Sequence, residues 1–224
     1  MDRINSANQV RPLKLVLVPA IISLAVTLLR LAGELLHWSP RWFSTATGGI
    51  FPSGMGWLIG ITWLAFPFGI YFALALSRAG LGPGSRLRAL LTPLCGVAVV
   101  ALGWVIIPRF QVGFPLILIW LFMAVAAVLQ YFAWPELFRT LLFYGLAARI
   151  PVVVIMFLAM SAGWNTHYDY VGTPLQSSMS LVPRYLWLAF FPQLVFWVAF
   201  TVLLGFIGAA FVAAFRGNRG RRFE

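Results

Sequence analysis

The sequence predicts an all-α integral membrane protein, a bundle of six transmembrane helices with both termini on the cytoplasmic side. Three observations predict it. Of 224 residues, 62% are apolar and only 9% are charged, where an ordinary soluble domain carries about 25% charged residues. The apolar residues gather into six stretches, each near the roughly 20 residues a helix needs to cross a bilayer. The basic residues concentrate in alternate connections between those stretches, the asymmetry that orients helical membrane proteins. With a mean hydropathy of +0.93, five acids and sixteen bases cannot build the surface of a soluble core this size. A soluble enzyme, a disordered tail and a fibrous protein are thereby excluded.

The six expected spans are 15–36, 57–77, 89–107, 114–133, 141–162 and 186–213. None alternates apolar and polar residues in pieces of about ten, as barrel strands do. No period of 20–50 residues repeats, so residues 1–224 read as a single polytopic domain that ends in a short basic tail, 216–224. The first apolar run is too long for a signal-peptide core and lacks a small-residue cleavage site, so it is expected to stay as a span.

Sidedness follows from the bases. Arg3, Arg11 and Lys14 precede the first span; Arg78, Arg86 and Arg88 follow the second; Arg139 follows the fourth; Arg216, Arg219, Arg221 and Arg222 follow the sixth. These eleven stand against three in the alternate connections: Arg41, Arg109 and Arg184. The near-exclusive use of arginine hints at a GC-rich bacterial genome, hence a bacterial cytoplasmic (inner) membrane. Short juxtamembrane clusters favour anionic headgroups, and no interleaved aromatic pattern points to nucleic acid. Trp38, Trp42, Trp57, Trp104, Trp134, Trp164 and Trp187 fall at or near span ends, where amphipathic rings prefer to lie. Cys95 is the only cysteine, so no internal disulfide and no cysteine metal cage exists.

Polar chemistry is sparse and therefore informative. Ser23, Thr27, Arg30, Glu34, His37 and Arg41 are spaced four, three, four, three, four in an otherwise apolar run, which places them on one helix face. Facing lipid, Arg30 and Glu34 would each cost about 2.5–3.5 kcal/mol at mid-depth. The stripe is expected to turn inward, with Arg30 and Glu34 paired at i,i+4. Locking helix packing is the simpler reading of that pair; lining an outward-opening cavity is the functional one.

A second cluster is expected on the outer face, where His167 and Asp169 join Glu34 and His37. Imidazoles and carboxylates can act as acid and base, or His37, His167 and Asp169 can hold a divalent metal such as zinc. Interfacial histidines beside a turn-forming aspartate are the simpler reading, and no cofactor is required. Arg149 lies about 12 Å inside a fifth span starting at Leu141. Snorkelling to the cytoplasmic headgroups is the simplest account; answering a carbonyl freed by Pro151 and binding an anionic substrate are the others. Glu136 and Arg139 read as a surface pair.

Pro19, Pro67, Pro93, Pro115, Pro151 and Pro192 put a proline in every span, and all but Pro115 are expected to bend or break their helices. In the sixth span Gly205, Ala209 and Ala213 recur every four residues, a small-residue face on which another helix can approach closely, from this chain, a second copy or a membrane partner. Phosphate-loop, zinc-protease, nucleophile-elbow and haem-attachment motifs are missing. The reading that results is a small permease-like or membrane-complex subunit without catalysis of its own, lined by Thr27, Arg30, Glu34 and Arg149. An outward-facing enzyme using Glu34, His37, His167 and Asp169, and a structural assembly partner, are the alternatives.

Overall fold

The computed structural model of the protein describes residues 12–43, 56, 58–109, 115–171 and 177–215. Trp57, the tail 216–224 and the terminal arginines counted above lie outside the described residues. Among the described residues every regular element is helical. They are α1 (Pro12–Leu35), α2 (Ala65–Arg78), α3 (Arg86–Ile106), α4 (Pro115–Leu129), α5 (Pro135–Ala162) and α6 (Leu181–Phe215). One 3-10 turn extends α3 to Arg109 and another extends α4 to Phe132. Five of these helices are long and apolar enough to cross a membrane.

The exception is α2. At 14 residues it is about 21 Å long at 1.5 Å per residue, short of a hydrocarbon core of about 30 Å. The expected span 57–77 is therefore not one continuous helix. Residues 58–64 form turns, with Leu64 donating to Ile61 O and Phe66 to Trp63 O. Pro67 explains the late start. A proline inside a helix clashes with the carbonyl four residues back, so the helix begins at Ala65 and Pro67 falls in its first turn. The expectation that Pro67 would break a longer helix is corrected to this.

Two further boundaries move. The fifth helix starts at Pro135, not Leu141, because proline suits the first helical position and Glu136 favours the positive end of the helix dipole. Arg149 thus sits halfway along α5. At the other end Gly163, with φ of 64°, closes the helix through its N–H to Ala159 O. α1 ends at Leu35, where His37 turns left-handed at φ 50° and Trp38 N–H reaches back to Gly33 O. This is a helix stop normally given to glycine.

α6 is the axis of the bundle, packed against α2, α3, α4 and α5. A Cβ on Gly69 would collide with the backbone of Gly205, and one on Gly205 would collide with Leu141. Gly205, Ala209 and Ala213 are all buried. The small-residue face is thus filled by neighbours within the same chain, with α2 crossing at Gly205. Side-chain pairs fix which helix ends lie together. Leu141 meets Gly205, and Arg149 meets Gln193, so α5 and α6 are antiparallel. Trp134 at the start of α5 donates to Leu81 O just after α2 (2.7 Å), and Arg86 at the start of α3 donates to Ala214 O near the end of α6. α1 lies along α5, its outer face exposing Leu17, Val18, Ile21, Leu24 and Leu28. An apolar face that extensive belongs against hydrocarbon.

Candidate functional site

The polar stripe of α1 is turned inward as far as Glu34. Ser23, Thr27 and Glu34 are buried, while His37 and Arg41 lie past the end of the helix and are exposed. The six residues therefore do not share one helix face. The αL turn at His37 carries the chain away, and its side chain leaves the group it was expected to join.

What the stripe meets is α5 and the segment that follows it. Ser23 Oγ shares a hydrogen bond with Tyr144 Oη (2.9 Å), and Thr27 Oγ1 donates to Ser23 O (2.9 Å). Tyr168 Oη donates to Thr27 O (3.2 Å). Glu34 is the most heavily bonded of the set. Its Oε1 accepts from Arg30 Nε (2.9 Å), its Oε2 accepts from the backbone N–H of His167 (2.9 Å), and ring Nδ1 of His167 straddles both oxygens, 2.7 Å from Oε1 and 2.8 Å from Oε2. A carboxylate so served is an acceptor only, so Nδ1 carries the hydrogen and, in the neutral ring, Nε2 keeps a lone pair. Burial pushes His167 below the ordinary histidine value, helped by the Arg30 guanidinium and opposed by Glu34. The ring lies against Tyr168 with centroids 3.8 Å apart, and burial pushes the Tyr168 phenol up.

Asp169 does something else. Its carboxylate accepts from Asn165 N–H (2.9 Å), Thr166 N–H (2.6 Å) and Thr166 Oγ1 (2.8 Å). It caps the turn that holds His167 over Glu34, and Asn165 takes a left-handed φ of 56° to complete it. Of the four expected acid–base residues the structure brings Glu34 and His167 together, places Asp169 behind them as a brace, and leaves His37 outside. Among the described residues no three histidine, cysteine, aspartate or glutamate side chains gather where they could hold a metal ion. Glu136 and Arg139 pair at 2.8 Å, both well exposed, a contact worth about 0–1 kcal/mol.

Arg149 does not snorkel. Its side chain is buried at 4% exposure, with Nη1 donating to Gln193 Oε1 (3.3 Å) and Nη2 to Thr62 Oγ1 (3.2 Å). The guanidinium lies 4.9 Å from the centre of the Trp197 ring, and Nε finds no partner among the described residues. Halfway along a 28-residue helix the arginine is about 21 Å from either end, beyond the reach of its own side chain. Gln193 and Trp197 lie where α6 widens into π-helical turns, over Leu186–Phe190 and Pro192–Trp197. Such turns are uncommon and cluster at functional sites. Sequence reading missed Thr62, Tyr144, Tyr168, Gln193 and Trp197. The available signal was a glutamine inside an apolar run beside Pro192. Gln130 carries the same signal, buried and bonded through Nε2 to Ala126 O (2.8 Å) and Thr92 O (3.2 Å), where it ties α4 to α3.

The fold and site define a helical membrane protein with a polar seam running from the 163–171 segment to the middle of the bundle. Compared with family models, curated proteins and solved structures, the chain finds no match.

Proposed function

We propose that the chain is a six-span protein of a bacterial cytoplasmic membrane, with both termini cytoplasmic, and works as a permease-like subunit that handles a polar solute. In this reading α2 and the turns ahead of it make the second crossing, and the end of the bundle holding Glu34 and His167 faces outward. Thr27, Arg30, Glu34 and Arg149 belong to the solute path. The observation that carries the reading is the continuity of polar groups. Glu34, His167, Tyr168, Thr27, Ser23 and Tyr144 follow one another from one end of the bundle inward, and Arg149 lies within electrostatic reach of Tyr168. A bundle needing only to pack would not carry so many polar groups to that depth, given their insertion cost.

Cysteine accessibility in whole cells tests it. In a Cys95→Ser background, Thr27→Cys and Arg30→Cys are expected to react with a membrane-impermeant thiol reagent from the outside. If neither reacts in the folded protein, the stripe is packing and the path is wrong. Reporter fusions at both termini and within 172–176 check the sidedness.

The Glu34–His167 pair supports a second reading, an outward-facing enzyme. A carboxylate that fixes Nδ1–H and leaves Nε2 free is the arrangement of an oriented general base. Loss of a hydrolase or transferase activity in His167→Ala, with solute flux unchanged, would favour it.

A further inference from the structure

Among the described residues Arg149 is a buried positive charge without a negative one. Three carboxylates lie among the described residues, and each is engaged elsewhere: Glu34 by Arg30 and His167, Glu136 by Arg139, and Asp169 by the turn at 165–166. Guanidinium does not give up its proton in proteins, so the charge stays. The two hydrogen bonds it does make run to neutral oxygens at 3.2 and 3.3 Å, at or beyond the long end of the usual range. Nε–H makes none among the described residues. An aromatic face at 4.9 Å spreads the charge but does not cancel it.

From this arrangement we infer that Arg149, with Thr62 and Gln193, forms a binding site for a small anion presenting two oxygens, a carboxylate or a phosphate-type oxoanion. The planar fork of guanidinium donors matches such a pair of oxygens. The unbonded Nε–H is the free part of that fork. Thr62 Oγ1 and Gln193 Nε2 supply neutral donors that can turn toward the anion. Among the described residues Gln193 Nε2 reaches Met156 Sδ, at 3.6 Å, a weak acceptor and an easy contact to give up. Both polar partners sit on irregular backbone, Thr62 in the turns before α2 and Gln193 in the π-helical part of α6. Non-regular backbone at membrane depth is where transporters place their ligand sites. The inference rests on the permease-like reading and names its substrate class.

Thermal unfolding of the purified full chain in a neutral detergent tests it, with inorganic phosphate, acetate and phosphatidylglycerol micelles as probes and chloride at matched ionic strength as control. Stabilisation by phosphate or acetate, growing with the logarithm of concentration, is expected. It should vanish in Arg149→Gln and weaken at least tenfold in Arg149→Lys, which keeps the charge and loses the fork. Gln193→Glu builds an internal counter-ion, and should unfold at a higher temperature than the parent while no longer responding to anions. Three results overturn the proposal: no response of the parent protein to either soluble anion, an unchanged response in both Arg149→Gln and Gln193→Glu, or a response to the lipid alone. Flux of the same anions into proteoliposomes is read separately. Arg149-dependent binding without flux removes the permease reading and leaves the site, whereas flux without such binding removes the site and leaves the permease.

Discussion

Glu34 and His167, 133 residues apart, are joined twice: the backbone N–H of His167 reaches Oε2, and its ring Nδ1 straddles both carboxylate oxygens. The contact fastens the end of α1 to the segment that leaves α5. It also gives α1, which packs mainly along α5, a polar anchor at one end, matching the Ser23–Tyr144 bond further in.

Glu34→Gln tests that anchor. The glutamate side chain is fully buried, and removing its charge leaves Arg30 and His167 facing a neutral amide. Breaking one partner out of a buried ion pair costs about 3–5 kcal/mol, expected as a large drop in unfolding temperature. Double-mutant analysis with His167→Ala should give a coupling of about 0.5–3 kcal/mol. Strict additivity would mean the pair is not energetically joined.

Acidification should destabilise the fold through the same histidine. Burial holds His167 below its ordinary value, so the unfolded chain takes up a proton more readily than the folded one. The stability this contributes is complete above the usual histidine value of about 6.5 and is lost as pH falls from there through the depressed folded value. Unfolding temperature measured between pH 8 and pH 5 should fall in the parent and fall less in His167→Gln. Parallel curves would contradict the assignment.

Asp169→Ala removes three hydrogen bonds from the turn that positions His167. Loss of a charged cap of this kind costs about 0.5–2 kcal/mol. Hydrogen exchange at Asn165 and Thr166 is expected to speed up while α3 and α4 stay protected. Uniform loosening of the whole bundle would mean that the turn is not a local brace.

Gly69→Ala weighs two opposed effects. Alanine gains about 0.8–1.0 kcal/mol over glycine in helix propensity, but the new Cβ meets the backbone of Gly205, which cannot rotate away. Overpacking costs about 1–3 kcal/mol, so net destabilisation is expected in thermal unfolding. A stabilised variant would show that α2 and α6 are not in close contact there.

The sequence alone determined the all-helical class, five of the long apolar helices, the inward turn of Ser23, Thr27 and Glu34, the Arg30–Glu34 pair and the exposed Glu136–Arg139 pair. Each is a matter of composition or of spacing along one helix, where 3.6 residues per turn links sequence to space directly. Helix ends were less legible. Hydropathy places a boundary where charge begins, whereas Pro67, Pro135 and the left-handed His37 place it where backbone geometry changes. What joins distant segments was decided only by the tertiary structure: His167 on Glu34, α2 on the small-residue face of α6, and Thr62 and Gln193 around Arg149. Those contacts arise from helices packing against one another, and no periodicity within a single helix encodes which residue of another will face it.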